Sequence, residues 1–99
     1  MRLLVVGAGG VGSSIVSIAA RRDVFEQIVV ADVDAGRANR AAARTGSPRV
    51  IGTRVDASDR IDLVELARTS QADVFVNACD PRFNPPIFDA AFEAGCHYL

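Results

Sequence analysis

The stretch Leu3-Leu4-Val5-Val6-Gly7-Ala8-Gly9-Gly10-Val11-Gly12-Ser13-Ser14-Ile15-Val16 decides the fold. An apolar run of strand length enters a glycine turn, and the turn opens into residues of helical character. The glycines fit G-x-G-x-x-G at Gly7, Gly9 and Gly12, and each position has its own steric reason to lack a side chain. Gly7 makes the tight turn out of the strand, Gly9 lets the backbone approach a pyrophosphate, and Gly12 lets the new helix lie close on the sheet. An anion would then rest on the unpaired N–H groups and positive dipole end of that helix, with no Lys or Arg needed.

Twenty residues after Gly12 a second apolar run, Ile28-Val29-Val30-Ala31, ends in Asp32. An acid at that distance, at the tip of a second strand, is placed to accept hydrogen bonds from an adenosine ribose; the plainer alternative is a cap on the following helix. The first strand, about Arg2 to Val6, has no polar residue between Leu3 and Val6, as expected of a central strand covered on both faces. Val11, Ile15, Ile18 and Ala19 give the first helix its spacing, with Arg21-Arg22 suiting its C-terminus and Val24 and Phe25 tucking under the next loop.

Further along, Ala35 to Arg44 predicts a helix that outweighs Gly36 and stops at Gly46 and Pro48. Val50 to Val55, with Gly52 and Arg54, suits an edge strand. It ends at Asp56-Ala57-Ser58, and an amphipathic helix follows to about Arg68. Asp56 is open between a helix cap and an adenine contact. A fourth strand, Ala72 to Ala78, brings Asn77 to the carboxyl end of the sheet, where ligands of open α/β folds bind. A loop from Cys79 to Asn84 precedes a helix that has Asn84 as its cap and closes on Gly95, and Cys96 to Leu99 begins a fifth strand. The expected fold is α/β: a doubly wound parallel sheet of Rossmann type, βαβαβαβαβ, in strand order 3-2-1-4-5.

Ninety-nine residues make a single domain, 1–99, with 49% apolar composition suited to a buried parallel sheet. Eleven basic and twelve acidic residues leave a net charge of −1, with no electrostatic footprint for nucleic acid or an acidic membrane. No apolar stretch approaches membrane-spanning length, and Met1-Arg2 leads directly into a strand, so a cytoplasmic protein is expected. Cys79, Cys96 and the single His97 have no metal-ligand spacing. Parallel topology sets the two cysteines at opposite ends of the sheet, too far apart for a disulfide, and brings in His97 away from the crevice, as a packing residue.

The chain resembles the N-terminal nucleotide-binding domain of the saccharopine dehydrogenase family. The likeness spans nearly its whole length: Val5 to Gly12, Ala31-Asp32, Val55-Asp56-Ala57, Val76-Asn77-Ala78 and, most specifically, Pro85 to Leu99 with its helix, glycine and His-Tyr-Leu strand. The resemblance implies the cofactor half of a hydride transfer at the carbon–nitrogen bond of an amino-acid-derived amine. By analogy, Gly9, Gly10 and Val11 hold the pyrophosphate through their backbone, and Asp32 with Val33 faces the adenosine ribose. Asp56 and Ala57 lie beside the adenine, and Asn77, Ala78 and Cys79 line the path to the nicotinamide ribose. The family's substrate site and proton-handling groups lie largely in a second domain, so this chain is expected to be inactive alone, with an open fifth strand prone to self-association.

Two rival readings remain: a non-catalytic nucleotide-sensing regulatory domain, such as those of potassium channels, and a Rossmann-like interaction module that binds no nucleotide. The segment Asn84 to Leu99 favours the dehydrogenases over the sensors, and three glycines plus Asp32 argue against the module. A carboxylate at position 32 accepts from a 2′-hydroxyl and repels a 2′-phosphate, which points to NAD. Arg37, five residues on, and phosphate-preferring relatives keep NADP open.

Overall fold

The computed structural model describes residues 1–99. The chain runs β1 (Arg2–Val6), α1 (Gly10–Ala19), β2 (Gln27–Asp32), α2 (Ala35–Arg44), β3 (Val50–Arg54), α3 (Arg60–Thr69), β4 (Val74–Asn77), a 3-10 turn (Pro81–Phe83), α4 (Asn84–Ala94) and β5 (His97–Tyr98). All four strand pairings are parallel, and the sheet order is β3-β2-β1-β4-β5, as the alternation of apolar runs and helices predicts. β1 is central because none of Leu3, Leu4, Val5 and Val6 tolerates water on either face.

Successive residues of each strand point to opposite faces, so the run splits between two cores. Leu3 and Val5 join Ile28, Val30 and Val50 under α1 and α2, against Val16, Ala19, Ala38, Ala41 and Ala42. Leu4 and Val6 join Val29, Ala31 and Phe75 under α3 and α4, against Leu63, Val64, Ala67, Ile87, Ala90 and Ala91. Each fully buried Val, Leu or Phe contributes on the order of 1.5–3 kcal/mol. The small residues on α2 let that helix lie close to β3, where a Cβ on Gly52 would stand 2.7 Å from the Ala38 backbone. Gly52 therefore serves helix packing as well as marking an edge strand.

Several local expectations need correction. Val11 and Ile18 are exposed, whereas Ala19 is buried as expected together with Gly12 and Val16, because the helix must turn Gly12 toward the strand exit. Arg21 and Arg22 lie beyond α1, and the carbonyls that follow the helix are satisfied from across the sheet. The Arg49 guanidinium donates to the carbonyls of Ala20, Arg22 and Phe25. Phe25 packs on the core as expected, whereas Val24 is exposed and offers only its carbonyl, to the N-terminal amine. Asn84 is no N-cap. It already has helical torsions, because the 3-10 turn capped by Asp80 delivers the chain into α4.

Candidate functional site

Strand order reverses beside β1, which carries β2 on one side and β4 on the other. A cavity of about 400 Å³ opens there, beyond the carboxyl ends of the strands. Val6, Gly7 and Gly9 come from the β1 exit, and Asp32, Val33 and Arg37 from the β2 exit and α2. Val55 to Ser58 follow β3, and Ala78, Cys79, Asp80 and Phe83 follow β4. The open α/β topology creates this crevice because the connections on either side of β1 lead to opposite faces of the sheet.

The turn from β1 is tightly held. Gly7 has φ +109°, which side-chain-bearing residues rarely adopt, and its N–H donates to the Ala31 carbonyl at 2.7 Å. A Cβ on Gly12 would stand 1.7 Å from the Gly7 carbonyl oxygen, so the helix rests directly on the turn. Gly9, the N-cap of α1, faces open space, with nothing within 4 Å of a built Cβ. The first hydrogen bond of α1 runs from Ser13 N–H to the Gly9 carbonyl at 2.9 Å. The N–H groups of Gly10, Val11 and Gly12 precede it and lack intrahelical partners. α1 has no side-chain cap and no acid in its first turn, whereas Asp34 caps α2 and Asp59 caps α3. No side chain therefore offsets its positive end. Gly10, Val11 and Gly12 thus present backbone at the cavity's edge without lining it.

Asp32 is 8% exposed and both its oxygens are engaged. Oδ2 accepts from Ala8 N–H and Oδ1 from Asp34 N–H, each at 2.9 Å, and Arg37 Nη1 lies 3.8 Å from Oδ2. The carboxylate therefore ties the glycine turn to the β2 exit. It is no helix cap, since Asp34 fills that role through Arg37 N–H.

Asp56 is no cap either, because Asp59 accepts from Ile61 and Asp62 N–H. The Asp56 carboxylate instead closes a turn with the hydroxyl and N–H of Ser58, and those two donors hold its pKa below the ordinary aspartate value. The Asp-x-Ser spacing was the available sign of Ser58's role.

At the carboxyl end of β4, Ala78 and Cys79 line the cavity, whereas Asn77, the last residue of the strand, does not. Asn77 Oδ1 accepts from Cys79 N–H at 2.8 Å, and its Nδ2 donates to Asn84 Oδ1, which also accepts from the Tyr98 hydroxyl at 2.9 Å. This network joins β4, α4 and β5. Cys79 is half-buried against the Val6 carbonyl, and burial first, then Asp32 and Asp80, pushes its thiol pKa up. Cys96 bonds the Ala72 carbonyl at the other end of β4, and both cysteines are free. His97 pairs with Val74 at the start of β4, outside the cavity.

The model of the saccharopine dehydrogenase NADP binding domain matches residues 3–99. The chain belongs to this family. Carboxyaminopropylagmatine dehydrogenase of Synechocystis is 35% identical over 98 residues, which cover 99% of this chain and 25% of that protein. Apo saccharopine dehydrogenase (L-Glu forming) from Saccharomyces cerevisiae superimposes with a TM-score of 0.84 at 21% identity, covering 98% of this chain and 20% of that one. The UDP-glucose 4-epimerase of Stenotrophomonas maltophila, with bound NAD, gives 0.74 at 19% identity over 97% of this chain and 34% of its own. At such identities the two structures show the fold alone. The chain spans about a quarter of the length of its Synechocystis relative. As a member of this family, it is a nicotinamide-dinucleotide-binding domain. No helix is long and apolar enough to cross a membrane.

Proposed function

We propose that this domain serves an oxidoreductase that passes a hydride between NAD(P) and the carbon of a carbon–nitrogen bond in an amino-acid-derived amine. The observation that carries the reading is the uncapped N-terminus of α1 beside the open face of Gly9, at the point where strand order reverses. The backbone of Gly9, Gly10 and Val11 receives the pyrophosphate there, and Gly7 and Gly12 set the turn that makes this possible. Asp32 and Val33 stand at the adenosine ribose, Asp56 and Ala57 beside the adenine, and Ala78 and Cys79 toward the nicotinamide ribose. Asn77 fixes the Cys79 backbone. The nicotinamide, when bound, supplies the hydride chemistry.

The name of the Synechocystis relative, a carboxyaminopropylagmatine dehydrogenase, supports an amino-acid-derived amine as the substrate class.

Calorimetric titration with NAD⁺ and NADP⁺ tests the site, with Gly9→Val in parallel. The new side chain meets no protein atom at its Cβ, so the variant should keep its circular dichroism spectrum while losing affinity by about tenfold or more. Equal affinity in the folded variant would remove the pyrophosphate from this turn.

A further inference from the structure

We propose that Asn84 and Tyr98 are positioning residues for the nicotinamide side of the cleft, acting through Asn77 on the turn that carries Ala78 and Cys79. The proposal rests on the dinucleotide reading above, in which those two residues stand toward the nicotinamide ribose. None of Asn77, Asn84 and Tyr98 lines the cavity, so each acts only through a neighbour.

The Asn77 side chain is the link. Its Oδ1 accepts from Cys79 N–H at 2.8 Å, which closes an Asx turn at the carboxyl end of β4. With the oxygen committed, the amide nitrogen faces the other way, donating to Asn84 Oδ1 and reaching the Tyr98 hydroxyl at 3.4 Å. Asn84 Oδ1 also accepts from the Tyr98 hydroxyl at 2.9 Å. Reversing the Asn77 amide would set a donor against Cys79 N–H and an acceptor against Asn84 Oδ1, so the acceptor at Asn84 fixes which end of Asn77 meets Cys79. Asn84 is free for this task because it caps nothing: it is already helical, and Pro85 and Pro86 have no N–H to offer it. Tyr98 is held in turn by its pairing opposite Phe75 and by an edge-on contact with Phe88, whose ring centre lies 5.5 Å away and which sits one helical turn beyond Asn84 on α4.

The turn so held borders the glycine turn. Ala78 N–H donates to the Val6 carbonyl at 2.8 Å. A Cβ on Gly7 would stand 2.8 Å from the Ala78 carbonyl oxygen and 3.1 Å from Cys79 Sγ. β1 thus secures Ala78, while the N–H of Cys79 has the Asn77 side chain as its partner. Releasing Asn77 therefore loosens the wall at Cys79 and leaves the pyrophosphate end of the site, at Gly9, untouched.

The test is calorimetry of this chain with NAD⁺ and NADP⁺, each compared with the probe that lacks nicotinamide, ADP-ribose or 2′-phospho-ADP-ribose, alongside amide NMR. Asn84→Ala should shift the Cys79 amide resonance and leave that of Ala8, bonded to Asp32, in place. It should weaken the full dinucleotide by about fivefold and the truncated probe by less than about twofold. Tyr98→Phe should give a smaller loss with the same selectivity. Asn84→Asp keeps the oxygen, the one atom of that side chain the network uses, and should restore the parent values. Equal losses for full and truncated ligands, an unmoved Cys79 amide, or an Asn84→Asp chain as weak as Asn84→Ala would overturn the positioning role and leave the dinucleotide site standing. A parent that binds both ligands of a pair equally would do the same. A folded parent that binds none of the four removes the dinucleotide reading and this role with it.

Discussion

Replacing Gly12 by Ala isolates the contact that seats α1 on the glycine turn. A Cβ at that position would stand 1.7 Å from the Gly7 carbonyl oxygen and 2.7 Å from its carbonyl carbon. Both are backbone atoms, so no rotamer change relieves the clash, and α1 must retreat by more than about 1 Å to reach ordinary contact. Such overpacking costs typically 1–3 kcal/mol, and a backbone clash this severe belongs at about 3 kcal/mol. Alanine returns about 1 kcal/mol through its better helix propensity. The net loss is about 2 kcal/mol, which lowers the Tm of a domain this size by roughly 8–16 °C. Thermal unfolding followed by circular dichroism measures it. Gly10→Ala is the control: its Cβ meets nothing within 4 Å, so the helix gains propensity without a clash and the Tm should not fall. A Gly12→Ala protein that melts at or above the parent temperature would refute the close seating of α1.

Arg49→Ala should destabilise the chain by about 1.5–3 kcal/mol in urea unfolding, since charge-assisted bonds to the carbonyls of Ala20, Arg22 and Phe25 are lost together; an unchanged midpoint would show these bonds to be dispensable. Because the folded pKa of Asp56 is lowered, its turn with Ser58 is fully stabilising above the ordinary aspartate value near pH 4 and weakens as pH falls through the lowered value. Ser58→Ala removes the hydroxyl donor and should move the Asp56 carboxyl resonance titration upward in NMR; no movement would assign the shift to other causes. Cys79, with its thiol pKa raised by burial, should react with iodoacetamide at pH 8 more slowly than an unfolded-chain thiol and more slowly still with dinucleotide present. Alkylation as fast as in urea would contradict its packing against Val6.

The first sixteen residues announce the fold because two periodicities meet at a glycine turn. Unbroken apolar residues on β1 permit only a strand covered on both sides, and Gly7 and Gly12 are required by a positive φ and a helix–turn contact. Eight of the residues singled out for the site, Gly7, Gly9, Asp32, Val33, Asp56, Ala57, Ala78 and Cys79, line one cavity because each lies at or just beyond the carboxyl end of a parallel strand. Their gathering was legible from strand order alone.

What each side chain does there was not legible, because its partners come from distant segments. Asp32 reaches Ala8, and Arg49 reaches the carbonyls at the end of α1, across 24 and 27–29 residues respectively, counting to Arg22 and Ala20. Asn77 reaches Asn84 and Tyr98 rather than the crevice. The same limit misplaced Val11 and Ile18, since helical spacing identifies a possible apolar stripe but the close contact at Gly12 selects the face that is buried. The sequence by itself determined the strand order, the glycine turn and the acid at the β2 tip, because these depend on local periodicity and backbone sterics. Only the tertiary structure decided which carboxylate holds a turn, which caps a helix and which arginine faces the cavity, because hydrogen-bonding choices among nearby polar groups depend on where the packed elements bring them.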